Sequence, residues 1–161
     1  MADIFQAQDE HWPLVREIRL RSLSSDPRAF GQTWEKESTY DEARWRERVQ
    51  EAAWFLATED DTPVGVVASR HEHDSPETER ELQAMWVTPA SRKSGIAQKL
   101  AEAVLEWARA DGAESVTLYV GPENQPARRL YDALGFTDTG DRWVIDDDEP
   151  ESAWTKMSRA L

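Results

Sequence analysis

Val87-Thr88-Pro89-Ala90-Ser91-Arg92-Lys93-Ser94-Gly95-Ile96-Ala97-Gln98-Lys99-Leu100 decides how the rest of the chain is read, because an apolar strand passes through a basic, glycine-containing turn directly into a helix. A helix start leaves four backbone N–H groups without intrahelical partners and carries the positive end of the helix dipole. Small residues at Ser94, Gly95 and Ala97 let a pyrophosphate approach that backbone, with Ile96 opening the helix. Arg92 and Lys93 add positive charge at the same point. The turn reads as a phosphate cradle. A basic residue ahead of a glycine-containing helix start is also an ordinary cap, so the surroundings decide.

Beyond the turn, Ile96, Leu100, Val104 and Trp107 recur at helical spacing from Gly95 to Asp111, and Gly112 stops the run. Val116 to Val120 is a β-branched and aromatic strand closed by Gly121-Pro122. A further helix places Ala127, Leu130, Tyr131 and Leu134 on one face and ends at Gly135. Trp143-Val144-Ile145 and Trp154 to Met157 read as the last strands, with Asp146 to Pro150 as their turn.

Before the turn, Glu81 to Val87 forms a strand preceded by the polar loop His71 to Glu77. Trp54 to Thr58 and Pro63 to Ser69 form a hairpin through Asp60-Asp61-Thr62. Ile4-Phe5 starts the chain as a short strand, Asp9 caps a helix carrying Trp12, Val15 and Ile18, and Leu23 to Phe30 is a loop. A second helix runs from about Asp41 to Gln50. Alternating strands and helices together with a hairpin predict an α/β (α+β mixed) domain whose sheet has helices on both faces.

The 161 residues, 39% of them hydrophobic, suit a single domain spanning 1–161 with one core. No run approaches 18 apolar residues, and Met1-Ala2-Asp3-Ile4-Phe5 lacks the basic and apolar regions of a leader, so a cytoplasmic protein with no membrane partner is expected. Having no cysteine, the chain has no thiolate nucleophile or disulfide scaffold, leaving chemistry to oxygen and nitrogen groups. A net charge of −13 argues against nucleic acid as a partner and equally serves solubility. That acidity is uneven. The segment from Arg92 to Tyr131 sums to +1 and the remainder to −14, so an anionic ligand fits the segment that holds the turn.

The context for the turn lies further on, in Asn124-Gln125-Pro126-Ala127-Arg128-Arg129-Leu130-Tyr131-Asp132-Ala133-Leu134-Gly135-Phe136. Arg92, Gly95 and Ala97, followed by Asn124, Ala127, Tyr131, Gly135 and Phe136, resemble the two signature motifs of the GNAT superfamily of N-acetyltransferases. The resemblance implies a mixed, mostly antiparallel sheet of about six or seven strands with about four helices. It also implies a splayed pair of parallel strands at the site of acetyl-CoA, the acyl donor. The pantetheine arm is expected between the strand Glu81–Val87 and the strand Val116–Val120, pairing with backbone near Met85 and Val87. The resemblance also implies Asn124, Ala127 and Arg128 on the donor side, with Arg129 next on the same helix as the alternative cation, and Asn124 equally serves as a helix cap. Lys93 stands where the family more often has glycine, and a left-handed backbone there would strain it.

Acetyl transfer to an amine needs a base for the ammonium and an acid for the departing thiolate. Tyr131, at the motif's tyrosine position, is the candidate acid, since a phenol of pKa about 10 is protonated at neutral pH and close to a thiol's roughly 8.5. Its spacing with Ala127 and Leu134 alone would make it a core aromatic. Glu81 matches a strand glutamate that acts as base in some family members, and otherwise reads as a strand-end ion-pair partner. His71 and His73 lack a third ligand at regular spacing, so no metal is expected. Phe30, Trp34 and Tyr40 among Glu35, Glu37, Asp41 and Glu42 suit a cationic amine acceptor, and suit helix–loop packing as well. A non-catalytic acyl-CoA-binding module is the alternative to an enzyme, and the resemblance leaves a homodimer open.

Overall fold

The computed structural model describes residues 2–161, which form one seven-stranded mixed sheet with helices on both faces. Strands β1 (Asp3–Gln6), β2 (Ala53–Glu59), β3 (Thr62–Arg70), β4 (Glu79–Val87), β5 (Ser115–Val120), β6 (Thr137–Trp143) and β7 (Trp154–Ala160) lie in the order β1-β2-β3-β4-β5-β7-β6. Helices are α1 (Trp12–Ser25), α2 (Trp34–Glu37), α3 (Glu42–Glu51), α4 (Ile96–Ala110) and α5 (Gln125–Ala133).

Strand β2 is buried on both faces, and its alternation builds two cores. Ala53, Phe55 and Ala57 face the layer of α4 and α5, whereas Trp54 and Leu56 face the layer of α1 and α3. Helix α4 presents Ile96, Leu100, Val104 and Ala108, all buried, to the first of these. It can lie close because β3 carries Gly65, where an added Cβ would come within 3.1 Å of both Ile96 and Leu100. The β2–β3 hairpin turns on Asp60 and Asp61, both with positive φ, the backbone of a two-residue turn whose twist matches the strands.

Several boundaries differ from the sequence reading. Helix α1 continues to Ser25, and only a short 3-10 turn, Pro27–Ala29, breaks the expected loop. Strand β4 starts at Glu79. Helix α2, capped by Thr33, brings the α-helices to five. The expected strand Trp143-Val144-Ile145 is corrected to Thr137–Trp143, and Val144 and Ile145 are exposed beyond its end. Strand β6 is a fully exposed edge, so burial imposes no alternation and its polar sequence carries no strand signal.

Two features of β4 position the site. Its parallel pairing with β5 covers only Glu79↔Ser115, Arg80↔Val116 and Glu81↔Thr117, so the two strands part beyond Glu81. On its other edge, Val66 pairs with Trp86 and Ala68 with Gln83, which leaves Ala84 and Met85 opposite the single residue Val67. Ala84 adopts φ +60° to make this bulge, an uncommon conformation for a residue with a Cβ.

Candidate active site

The opening between β4 and β5 belongs to a cavity of about 790 Å³ that reaches from α5 to the α1–α2–α3 layer. Glu81, Met85, Asn124, Ala127 and Tyr131 all line it. Val87 at the end of β4, Arg128 on α5 and the turn Arg92–Ala97 at the start of α4 lie outside it.

Helix α5 holds Tyr131 against Phe136 in an edge-on aromatic contact, 5.6 Å between ring centres. The phenol has no hydrogen-bond partner among the described residues, and burial raises its pKa well above the usual value. It stays protonated across the neutral range. Asn124 caps the same helix, its Oδ1 accepting from the Ala127 amide at 3.3 Å, so it serves as cap and cavity wall together.

Glu81 is half-buried at the point where the strands part, and desolvation is the main cause that raises its carboxyl above the usual range. Gln83 donates from Nε2 to Glu81 and, at 2.5 Å, to Glu72 Oε1. The Gln83 bond stabilises the Glu81 carboxylate, while the neighbouring Glu72 charge opposes it. Arg70 anchors Glu72 from the other side at 3.0 Å. Two carboxyl groups thus share one amide at the cavity edge. Glu72 and Gln83 are functional candidates that sequence reasoning missed, and the period-2 relation of Glu81 to Gln83 on one strand was the available signal.

Lys93 and Gly95 both adopt left-handed backbone, with φ +63° and +84°. This is the strain foreseen for Lys93. Gly95 begins α4 with no side-chain cap, and an added Cβ there would meet nothing within 4 Å. The first amides of a 15-residue helix are therefore uncapped beside open space, which fits an anionic group. Arg92 does not add its charge to that face. Its Nε donates to Val87 O at 2.9 Å and its Nη2 to Asp26 Oδ2 at 3.0 Å, while Trp86 Nε1 donates to the same Asp26 oxygen at 2.6 Å. Arg92 thus clamps the turn to the chain, and the Val87 carbonyl is already engaged. Ser94 donates to Ser91 O, and Arg128 lies 3.8 Å from Asp132 and 3.7 Å from Asp138.

The acceptor wall also differs from expectation. Glu37 is buried beneath Arg19 and Arg48, and the rings of Phe30 and Tyr40 stack on the protein's own arginines, so these groups are not free for a cationic amine. Trp143 reaches this wall from β6, contacting Tyr119 and Trp154 at ring-centre distances of 5.8 Å. Among the described residues, no cluster of three His, Cys, Asp or Glu could hold a metal, and no helix is long and apolar enough to cross a membrane.

The model of the acetyltransferase (GNAT) family matches residues 12–136, and the chain belongs to that family. N-acetyltransferase 8 of Mus musculus is 35% identical over 98 residues, covering 60% of this chain and 43% of that protein. A mycothiol acetyltransferase from Thermobispora bispora is 37% identical over 100 residues, 59% of this chain and 32% of that one. The chain thus matches less than half the length of these curated relatives. The acetyltransferase of the GNAT family from Streptococcus pneumoniae superposes with a TM-score of 0.83 at 18% identity, over 100% of this chain and 99% of that one. A putative acetyltransferase from Salmonella typhimurium, solved with its cofactor acetyl-CoA, gives 0.79 at 19% identity over 100% and 94%. At such identities the likeness is one of fold.

Proposed function

We propose that the chain transfers an acetyl group from acetyl-CoA to a primary amine by direct attack within a ternary complex. The observation that carries this reading is that β4 and β5 part immediately beyond Glu81, over a cavity that holds both Glu81 and the Tyr131 phenol. The uncapped start of α4, with Lys93 and Gly95 in left-handed backbone, suits the donor's pyrophosphate through the amides of Ser94 to Ala97. The edge of β4 facing the gap, near Met85 and Val87, is free of β5 and suits the pantetheine arm and the thioester oxygen. Asn124, Ala127 and Arg128 border the donor from α5.

Glu81 takes a proton from the acceptor ammonium, a transfer that its raised pKa favours. The freed amine attacks the thioester carbonyl and forms the N–C bond, the nitrogen of the resulting tetrahedral adduct sheds its extra proton to solvent, the C–S bond breaks, and Tyr131 donates its hydroxyl proton to the departing thiolate. Exchange with solvent restores both residues. Acetyl-CoA-dependent release of CoA, measured over a panel of amines and peptides, tests the assignment. Micromolar donor binding with amine-dependent release is expected. Donor binding without turnover on any amine would make the chain a non-catalytic acyl-CoA-binding module.

A further inference from the structure

Arg19 from α1, Glu37 from α2 and Arg48 from α3 meet at the cavity wall, with side-chain exposures of 6%, 1% and 15%. Arg19 binds Glu37 through Nε and Nη2, each at 3.0 Å, and Arg48 Nη1 reaches the same carboxylate at 2.6 Å. Two guanidinium groups therefore share one carboxylate, leaving a buried charge of +1 in a chain of net charge −13. Arg19 Nη1 is buried and has no hydrogen-bond partner. The rings near these cations, Phe30 at 5.0 Å from Arg19 and Trp45 at 4.8 Å from Arg48, favour positive charge but accept no strong hydrogen bond. Other cations on the cavity are engaged. Arg70 is held by Glu72, Arg44 by Glu51, and Arg142 by both oxygens of Asp138. Lys36 lines the same wall, is exposed, and forms no ion pair among the described residues.

We propose that this wall is an anion subsite, and that the acceptor is an amino acid whose carboxylate binds Arg19 and Lys36 while its amine faces Glu81. The inference rests on the acetyl-transfer reading and narrows its acceptor. The cavity lining carries both signs of charge. Glu81 and Glu72 with Gln83 supply one, and the surplus guanidinium charge with Lys36 supplies the other. A zwitterion matches both. A simple amine would leave that wall with one carboxylate for two guanidinium groups, and the surplus buried positive charge uncompensated, which is unfavourable. The guanidinium donors also suit the geometry of a carboxylate.

The subsite is tested by titrating the CoA-saturated protein with N-acetyl amino acids of increasing chain length and with their carboxamides. The acids are expected to bind about tenfold or more tightly than the matched carboxamides, as for hydrogen bonds to a charged group. Lys36→Ala and the charge-retaining Arg19→Lys should each weaken the acids at least about threefold and leave the carboxamides unchanged. Equal binding of acid and carboxamide, or binding of neither, overturns the subsite. Turnover is then compared between free amino acids and their decarboxylated amines. Equal kcat/KM for the two overturns the amino-acid assignment while acetyl transfer stands, whereas acid-selective binding without any turnover supports the subsite and overturns the acetyl-transfer reading.

Discussion

Glu81 on β4 stands directly opposite Thr117 on β5, and that pair is the last rung of the parallel pairing between the two strands. The parting of the strands puts backbone edges without a strand partner beside a half-buried carboxyl, and α5 supplies a phenol to the same cavity. The gap between the strands and the meeting of Glu81 with Tyr131 in one cavity therefore both follow from where one ladder stops.

Tyr131→Phe separates chemistry from folding. The ring packs on Phe136 and stays, and the lost hydroxyl has no hydrogen-bond partner to orphan among the described residues. Turnover is expected to fall about 10²- to 10⁴-fold, the usual worth of a positioned acid, with acetyl-CoA affinity nearly unchanged. Paired kinetics and calorimetry check this, and a fall in donor affinity matching the fall in rate would make Tyr131 a binding residue.

The pH profile reports the carboxyl pair. Glu81 must be ionised to accept a proton, so kcat/KM should rise with pH along a limb lying above the ordinary glutamate value of 4.5. Glu72→Gln removes a negative neighbour that raises Glu81, so the limb should move to lower pH. Glu81→Gln should remove the limb and most activity. Stability runs the other way. The folded state favours the protonated Glu81, a contribution present below the unfolded pKa and lost as pH rises through the folded one. Glu81→Gln should therefore not lower the thermal midpoint at pH 7. An unmoved limb in Glu72→Gln would remove Glu72 from the site.

The turn offers two opposed substitutions. Gly95→Ala places a Cβ on a left-handed backbone at a cost of about 1–2 kcal/mol, and narrows the approach to the α4 amides. Its thermal midpoint and its acetyl-CoA affinity should both drop. Lys93→Gly relieves left-handed strain two residues earlier in the turn, offset by about 0.4–1 kcal/mol of unfolded-chain freedom. Its midpoint should stay close to that of the parent, while donor binding persists because the α4 backbone amides are retained. Loss of binding in Lys93→Gly would assign the ammonium a direct role.

Local patterns made much of this legible. The α4 repeat, the strand before the turn and the Asn124–Phe136 motif each sit in one short window, and the structure brings Glu81, Met85, Asn124, Ala127 and Tyr131 to one cavity. What escaped is nonlocal or silent. Arg92 found Asp26, 66 residues away, and Arg19 found Glu37 across 18 residues, partnerships that no window contains. The bulge at Ala84 is carried by a residue with no turn signature. Strand β6 is exposed along its whole length, so no apolar face had to be written into it.

Glu37 is the counter-ion on which the α1–α2–α3 layer closes. Desolvation opposes its charge, yet the hydrogen bonds and charges of Arg19 and Arg48 prevail and hold its carboxyl below the ordinary range. Glu37→Ala leaves two buried guanidinium groups facing each other, which should lower stability by about 3–5 kcal/mol, the range for breaking a buried pair on one side. A depressed pKa contributes stability above the unfolded value near 4.5 and loses it as pH falls through the folded one. Urea melts of the parent should accordingly weaken from about pH 4.5 downward, and the Glu37→Ala penalty should shrink over the same window. A penalty that holds constant from pH 7 to pH 3 would mean that Glu37 acts through packing alone.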